Sequence, residues 1–200
     1  CIIINAGSRD ESSEKNGLAH FIEHLLFKKT KRRNTAQILN RLELVGADLN
    51  ANTTKEYTCI HASFLNPHLE RSLDLFEDIV FHSVFPPEEM QKEKEVILDE
   101  ISSYQDQPDE AINDDFEDML FYGHSLGRNI LGTAPTVQAL EQQDIFNFIK
   151  ANYRNEEIVI GIFGSYDSKK VISLSNKIFG QLSSNSPLRK REGINLYKPY

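Results

Sequence analysis

The chain has 200 residues, 40% of them hydrophobic and 26% charged, enough for one domain with a full core and outside the disordered and collagen-like classes. Its net charge of −8 argues against a nucleic-acid partner and suits either plain solubility or a basic, extended polypeptide ligand. No run approaches the roughly 18 apolar residues of a membrane span, and Cys1 and Cys59 have no CxxC spacing and form no disulfide framework.

Residues 1–6 read as a strand that begins without a turn or an initiator Met. The expectation is a piece of a longer protein, so its targeting and compartment stay open. A turn at Gly7 to Glu11 and a polar loop to Asn16 lead into a helix predicted over 18–27. Leu18, Phe21 and Leu25 form one apolar stripe of it and Ile22 and Leu26 another, so it reads as buried. Within it stands His20-Phe21-Ile22-Glu23-His24. Residues three and four apart share a helix face, which brings His20, Glu23 and His24 to one patch. Burying such groups without partners costs on the order of 2–7 kcal/mol each, more for a charge, and a bound cation removes most of that cost. Two imidazoles one turn apart suit zinc, and a carboxylate beside them can act as base toward a metal's water. The order is the inverse of the His-Glu-x-x-His peptidase motif.

The basic run from Lys28 to Arg33 reads as a solvated loop. A capped helix follows, with Ile38, Leu42 and Val45 at helical spacing until Gly46. Two strands are predicted over 48–53 and 57–64. Asn66 as cap and Pro67 at the first helical position open the next helix. Pro86-Pro87-Glu88-Glu89 opens another, acidic at its start as the helix dipole prefers. On that helix Glu93, Ile97, Glu100 and Tyr104 fall on one stripe. Further helices are predicted at about 109–121, 136–151 and 167–179, with a buried strand over 158–163. From Ser183 the chain turns polar, as a linker does.

A catalytic zinc site usually takes three protein ligands and keeps one position open. His20 and His24 supply two. For the third, Glu100 is the strongest candidate, a carboxylate in a largely apolar helical segment, while Asp99 and Glu95 compete on spacing alone. His61, His68, His82 and His124 lack a helical carboxylate partner, and the acidic run from Asp106 to Asp118 lacks the Gly-containing loop of a calcium site.

The HFIEH helix with its following Phe-Lys-x-Thr, Asn50-Ala51-Asn52-Thr53 with Glu56-Tyr57-Thr58, and the segment Glu93 to Ile101 together resemble the pitrilysin (M16) family of zinc peptidases, which includes mitochondrial processing peptidase and insulin-degrading enzyme. Gly7-Ser8-Arg9, the loop from Tyr122 to Gly127 with Leu131-Gly132-Thr133, and Ile160 to Gly164 extend the likeness over nearly the whole chain. The resemblance implies an α+β fold of the LuxS/MPP-like metallohydrolase type, a mostly antiparallel sheet covered by helices. It implies that residues 1–182 are the N-terminal catalytic domain and that 183–200 start a linker toward a second homologous half, in the same chain or in a partner subunit. It further implies one zinc ion held by His20, His24 and Glu100, with Glu23 as general base and Glu93 supporting the site without binding metal. Asn50, Ala51 and Asn52 would lie on an edge strand to which an extended peptide substrate adds as a further strand. The implied activity is zinc-dependent endopeptidase cleavage of unstructured peptides or processing segments. The alternative is a non-catalytic partner or scaffold subunit, although such relatives typically lose the motif residues that are intact here. Lys29 and Ser125 depart from the family's usual Gly and Pro at loop positions. The Arg and Tyr that the second half contributes to the substrate site have no counterpart in these residues.

Overall fold

The computed structural model describes residues 1–180 together with 190, 191 and 193. Four strands, β1 (Ile2–Ile4), β2 (Asp48–Thr53), β3 (Thr58–Ser63) and β4 (Ile158–Ile160), form one antiparallel sheet in the order β2-β3-β1-β4. The helices are α1 (Leu18–Leu26), α2 (Thr35–Glu43), α3 (Leu69–Phe81), α4 (Pro87–Gln105), α5 (Pro108–Leu120), α6 (Ala134–Gln138), α7 (Gln142–Asn152) and α8 (Ser168–Phe179). The expected α+β class is therefore the observed one. Directly opposed residues share a sheet face, and Ala51, Ile60, Ile2 and Ile160 follow one another across the sheet as such a row. Ile2 and Ile60 are fully buried in the core with Phe21, Ile22, Leu25 and Ile97. Among the described residues β2 is an edge strand, with β3 on one side and no strand on the other.

All of α1 is buried except Glu23 and His24, which are half-buried. The helix packs against α4, β2 and α7, so its apolar stripes are covered. Its first turn is anchored from upstream. The buried Glu11 carboxylate accepts from the backbone N–H of Gly17 (2.9 Å) and Ala19 (2.6 Å) and from the Asn16 amide (3.1 Å), placing an acid at the positive end of the helix. A loop from downstream closes over this start: Asn16 donates to the Asn129 carbonyl at 2.9 Å and Arg128 to the Glu11 carbonyl at 2.6 Å.

Several local expectations change. The basic run is only partly solvated: Lys29, Lys31 and Arg32 are exposed, yet Arg32 (2.7 Å), Arg33 and Thr30 (2.9 Å) converge on Asp78, which is fully buried on α3. Burial pushes the Asp78 carboxyl up, yet these donors outweigh it and hold it below its usual value. The helix expected over 136–151 is two. Thr133 and Glu141 cap α6 and α7 separately, Leu140 is buried between them, and Lys94 from α4 donates to the freed carbonyls of Gln138 (2.8 Å) and Leu140 (2.7 Å). Asn66 does not cap α3. Its amide donates to the Ser165 carbonyl at 3.1 Å, and residues 66–68 form a short 3-10 turn before the helix begins at Leu69. The strand expected over 158–163 stops at Ile160 and is not buried: Ile158 and Ile160 are half-buried against the core, and Val159 and Phe163 are exposed.

The linker expected over 183–200 lies outside the described residues except at 190, 191 and 193. Arg191 reaches back to the body, donating to both Asp10 oxygens at 3.1 and 2.8 Å. Among the described residues no helix is long and apolar enough to cross a membrane.

Candidate metal centre

The candidate metal-binding geometry starts from one helical turn of α1. His20 and His24 stack edge to face with ring centroids 4.6 Å apart. Across from them stands α4, which opens with Pro at its first position and acids in its first turn, as the sequence predicts. Its inward stripe carries Glu93 and Ile97, both buried, and its rim carries Glu100. One Glu100 oxygen lies 3.8 Å from His20 Nε2 and 3.7 Å from His24 Nε2, and the three candidate ligand atoms fall within 4.8 Å of one another. Glu95 and Asp99, the rivals on spacing, are exposed on the other side of the helix.

Separations of 3.7 and 3.8 Å are too long for hydrogen bonds. They are close to the roughly 3.4 Å between two ligands that share a tetrahedral ion about 2.1 Å from each. His24 Nδ1 is 3.1 Å from Glu93. A carboxylate only accepts, so the ring nitrogen facing it carries the hydrogen, which in the metal-binding form leaves Nε2 as the ligand atom on the Glu100 side. Burial, with the neighbouring His24 adding to it, pushes His20 down to about 4. It is therefore neutral near pH 7, the form in which imidazole binds metal. Its Nδ1 is buried and finds no partner among the described residues. Two imidazoles and a carboxylate facing one space, none bonded to another, fit a divalent cation of the zinc type.

Glu23 lies on the same turn, with His24, Glu100 and Thr53 among the groups that act on it. Burial pushes its carboxyl up, against the pull of Thr53 and His24, and its Oε2 is buried without a partner among the described residues. Thr53 is the last residue of β2, so the free edge of the sheet runs up to this carboxylate. Along that edge Asn50 and Asn52 are exposed and Ala51 is buried against the core.

Two neighbours escaped the sequence reading. Lys28, placed in the solvated loop, reaches Glu93 at 2.6 Å, and its position four residues after His24 was the available signal. Tyr153, just after α7, has a buried hydroxyl that counts Thr58 and Glu23 among the groups acting on it. No periodicity points to it.

The fold and this cluster define a helix-borne HxxEH motif facing a carboxylate helix, a group that could hold a metal ion. Residues 1–134 match the family described as Insulinase (Peptidase family M16), and the chain belongs to that family. It is 35% identical over 194 residues to an uncharacterized zinc protease of Mycobacterium leprae, covering 95% of this chain and 44% of that protein. It is 37% identical over 182 residues to a probable mitochondrial-processing peptidase subunit beta of Arabidopsis thaliana, covering 91% and 34%. Among solved structures, a protease from Helicobacter pylori superposes with a TM-score of 0.89 at 24% identity over 99% of this chain and 48% of that one, a likeness of fold. The chain spans less than half the length of these relatives.

Proposed function

We propose that this chain is the metal-bearing half of a zinc endopeptidase that cleaves extended, unstructured peptides. The observation that carries the reading is the approach of His20, His24 and Glu100 to a common space beside a buried carboxylate oxygen of Glu23 that has no partner among the described residues. His20, His24 and Glu100 would hold the zinc, and Glu93 would orient His24. Zinc bound there supplies Lewis acidity toward a water and toward a carbonyl oxygen.

Glu23 takes the proton of the attacking water and passes it to the leaving amine. Its upward shift suits both steps, because a general base works best with a pKa near the working pH. The peptide is held by the edge of β2 at Asn50, Ala51 and Asn52, where main-chain hydrogen bonds give affinity with little demand on sequence. Since this edge ends at Thr53 beside Glu23, a peptide added as a strand is led toward the base. Residues 1–182 are the catalytic domain and 183–200 begin a linker. A second homologous half, in the same chain or a partner, supplies the opposite wall of the cleft.

The test is metal analysis of the intact protein together with cleavage of unstructured peptides, with and without chelator. One zinc per site and chelator-sensitive turnover are expected. Glu23→Gln should keep the metal and lose cleavage by at least the ~100-fold usual for a general base. A folded protein without zinc overturns the metal centre; turnover retained in Glu23→Gln overturns the assignment of the base; and a zinc-loaded protein that cleaves no peptide favours the scaffold role.

A further inference from the structure

Lys28 stands one turn beyond His24, just past the end of α1, with its side chain 26% exposed. Its Nζ lies 2.6 Å from Glu93 Oε1, while Glu93 Oε2 lies 3.1 Å from His24 Nδ1. The Glu93 carboxylate is thus gripped at both oxygens, one by an ammonium and one by a ring nitrogen of a candidate ligand. We propose that Lys28 is a positioning residue of the metal centre: through Glu93 it holds the His24 ring with Nε2 toward Glu100, and it offsets the Glu93 charge. The proposal rests on the metal-centre reading given above.

Geometry and charge carry it together. Glu93 is buried, and a buried carboxylate with one oxygen unpartnered would turn to find another donor and take the His24 ring with it. Three carboxylates, Glu23, Glu93 and Glu100, gather round two imidazoles that are neutral in the metal-binding form. Like charges at such range oppose one another. Lys28, 2.6 Å from Glu93, sets a positive charge directly against one of them. The rest of the basic run is otherwise engaged: Lys29 and Lys31 are exposed, and Arg32 and Arg33 are bound to Asp74, Glu77 and Asp78. A pair that merely tethered α1 to α4 would act on folding and leave zinc affinity alone.

The experiment measures zinc affinity of the intact protein by competition with a chromogenic chelator, for wild type, K28M, K28R, E93Q and the K28M/E93Q double variant. The denaturation midpoint of each metal-free protein and the visible spectrum of each cobalt-loaded form accompany it. K28M should weaken zinc binding about tenfold to a hundredfold, the range usual for groups that support a metal ligand. K28R should recover most of that loss, and K28M should add little on the E93Q background, because the same relay is already broken. The metal-free midpoint should stay near wild type while the cobalt bands of K28M shift. Wild-type zinc affinity in K28M, additive losses in the double variant, or a loss of affinity matched by an equal loss of metal-free stability would each overturn the proposal. Absence of zinc binding in the wild type would overturn the metal-centre reading itself.

Discussion

The Glu11 carboxylate accepts a 2.6 Å hydrogen bond from the backbone N–H of Ala19, the residue next to His20. A side chain eight residues upstream thereby sets where the first turn of α1 begins, and with it the position of the candidate ligands.

Burial pushes the Glu11 carboxyl up from 4.5 to about 7, against the opposing bonds from Ala19, Asn16 and Gly17. A carboxyl with a higher pKa in the folded than in the unfolded chain binds more protons when folded, so its contribution falls as pH rises between the two values. For Glu11 the fall, on the order of 3 kcal/mol, spans the window from ordinary carboxylate titration to about 7. His20, lowered to about 4, acts with the opposite sign: its contribution is present above its usual 6.5 and lost as pH falls toward 4. Urea denaturation of metal-free wild type and Glu11→Gln, below and above this window, separates the two. The difference between the proteins should change with pH; a constant difference would remove Glu11 as a source.

Gly132 presses on the residue preceding Gly17 in a left-handed conformation, φ +75°, and a Cβ there would sit 2.3 Å from the Asn16 carbonyl oxygen. Gly132→Ala should therefore destabilise the protein by about 1–3 kcal/mol. A denaturation midpoint equal to wild type would show that the loop over the start of α1 yields freely.

Replacing Glu100 by Gln should weaken zinc binding by more than the 10–100-fold typical of supporting groups, as measured against a chelator of known affinity. Glu95→Gln and Asp99→Asn, on the exposed side of α4, should leave it unchanged. Retention of zinc in Glu100→Gln with loss in either of the others would reassign the third ligand.

Asp78→Ala strips a fully buried carboxylate from Arg32, Arg33 and Thr30. Removing one side of a buried ion pair costs about 3–5 kcal/mol, and the partly exposed Arg32 places this case at or below the low end. The midpoint in urea should fall accordingly with zinc affinity per folded molecule retained, since Lys28 rather than Arg32 or Arg33 contacts the centre. A wild-type midpoint would mean that water replaces the carboxylate at little cost.

What was legible in the chain was local. The helical spacing of Leu18, Phe21, Ile22 and Leu25 and that of Ile38 and Leu42 describe elements whose hydrogen bonds close within a few residues. Expectations failed where a distant group intervened. Lys94 stabilises the break between α6 and α7, Ser165 draws Asn66 away from its capping role, and Asp78 folds the arginines of the basic run onto α3. In each case a polar side chain found a partner that propensity could not foresee.

By itself the sequence determined that His20, Glu23 and His24 share one face of a buried helix, because a period of 3.6 is a property of neighbouring residues. The tertiary structure alone decided which carboxylate faces them. Packing of the buried Ile97 against the core sets the rotation of α4, turning Glu93 to His24 and Glu100 to both rings while Glu95 and Asp99 point outward. The same packing places Lys28 on Glu93 and runs the free edge of β2 up to Glu23.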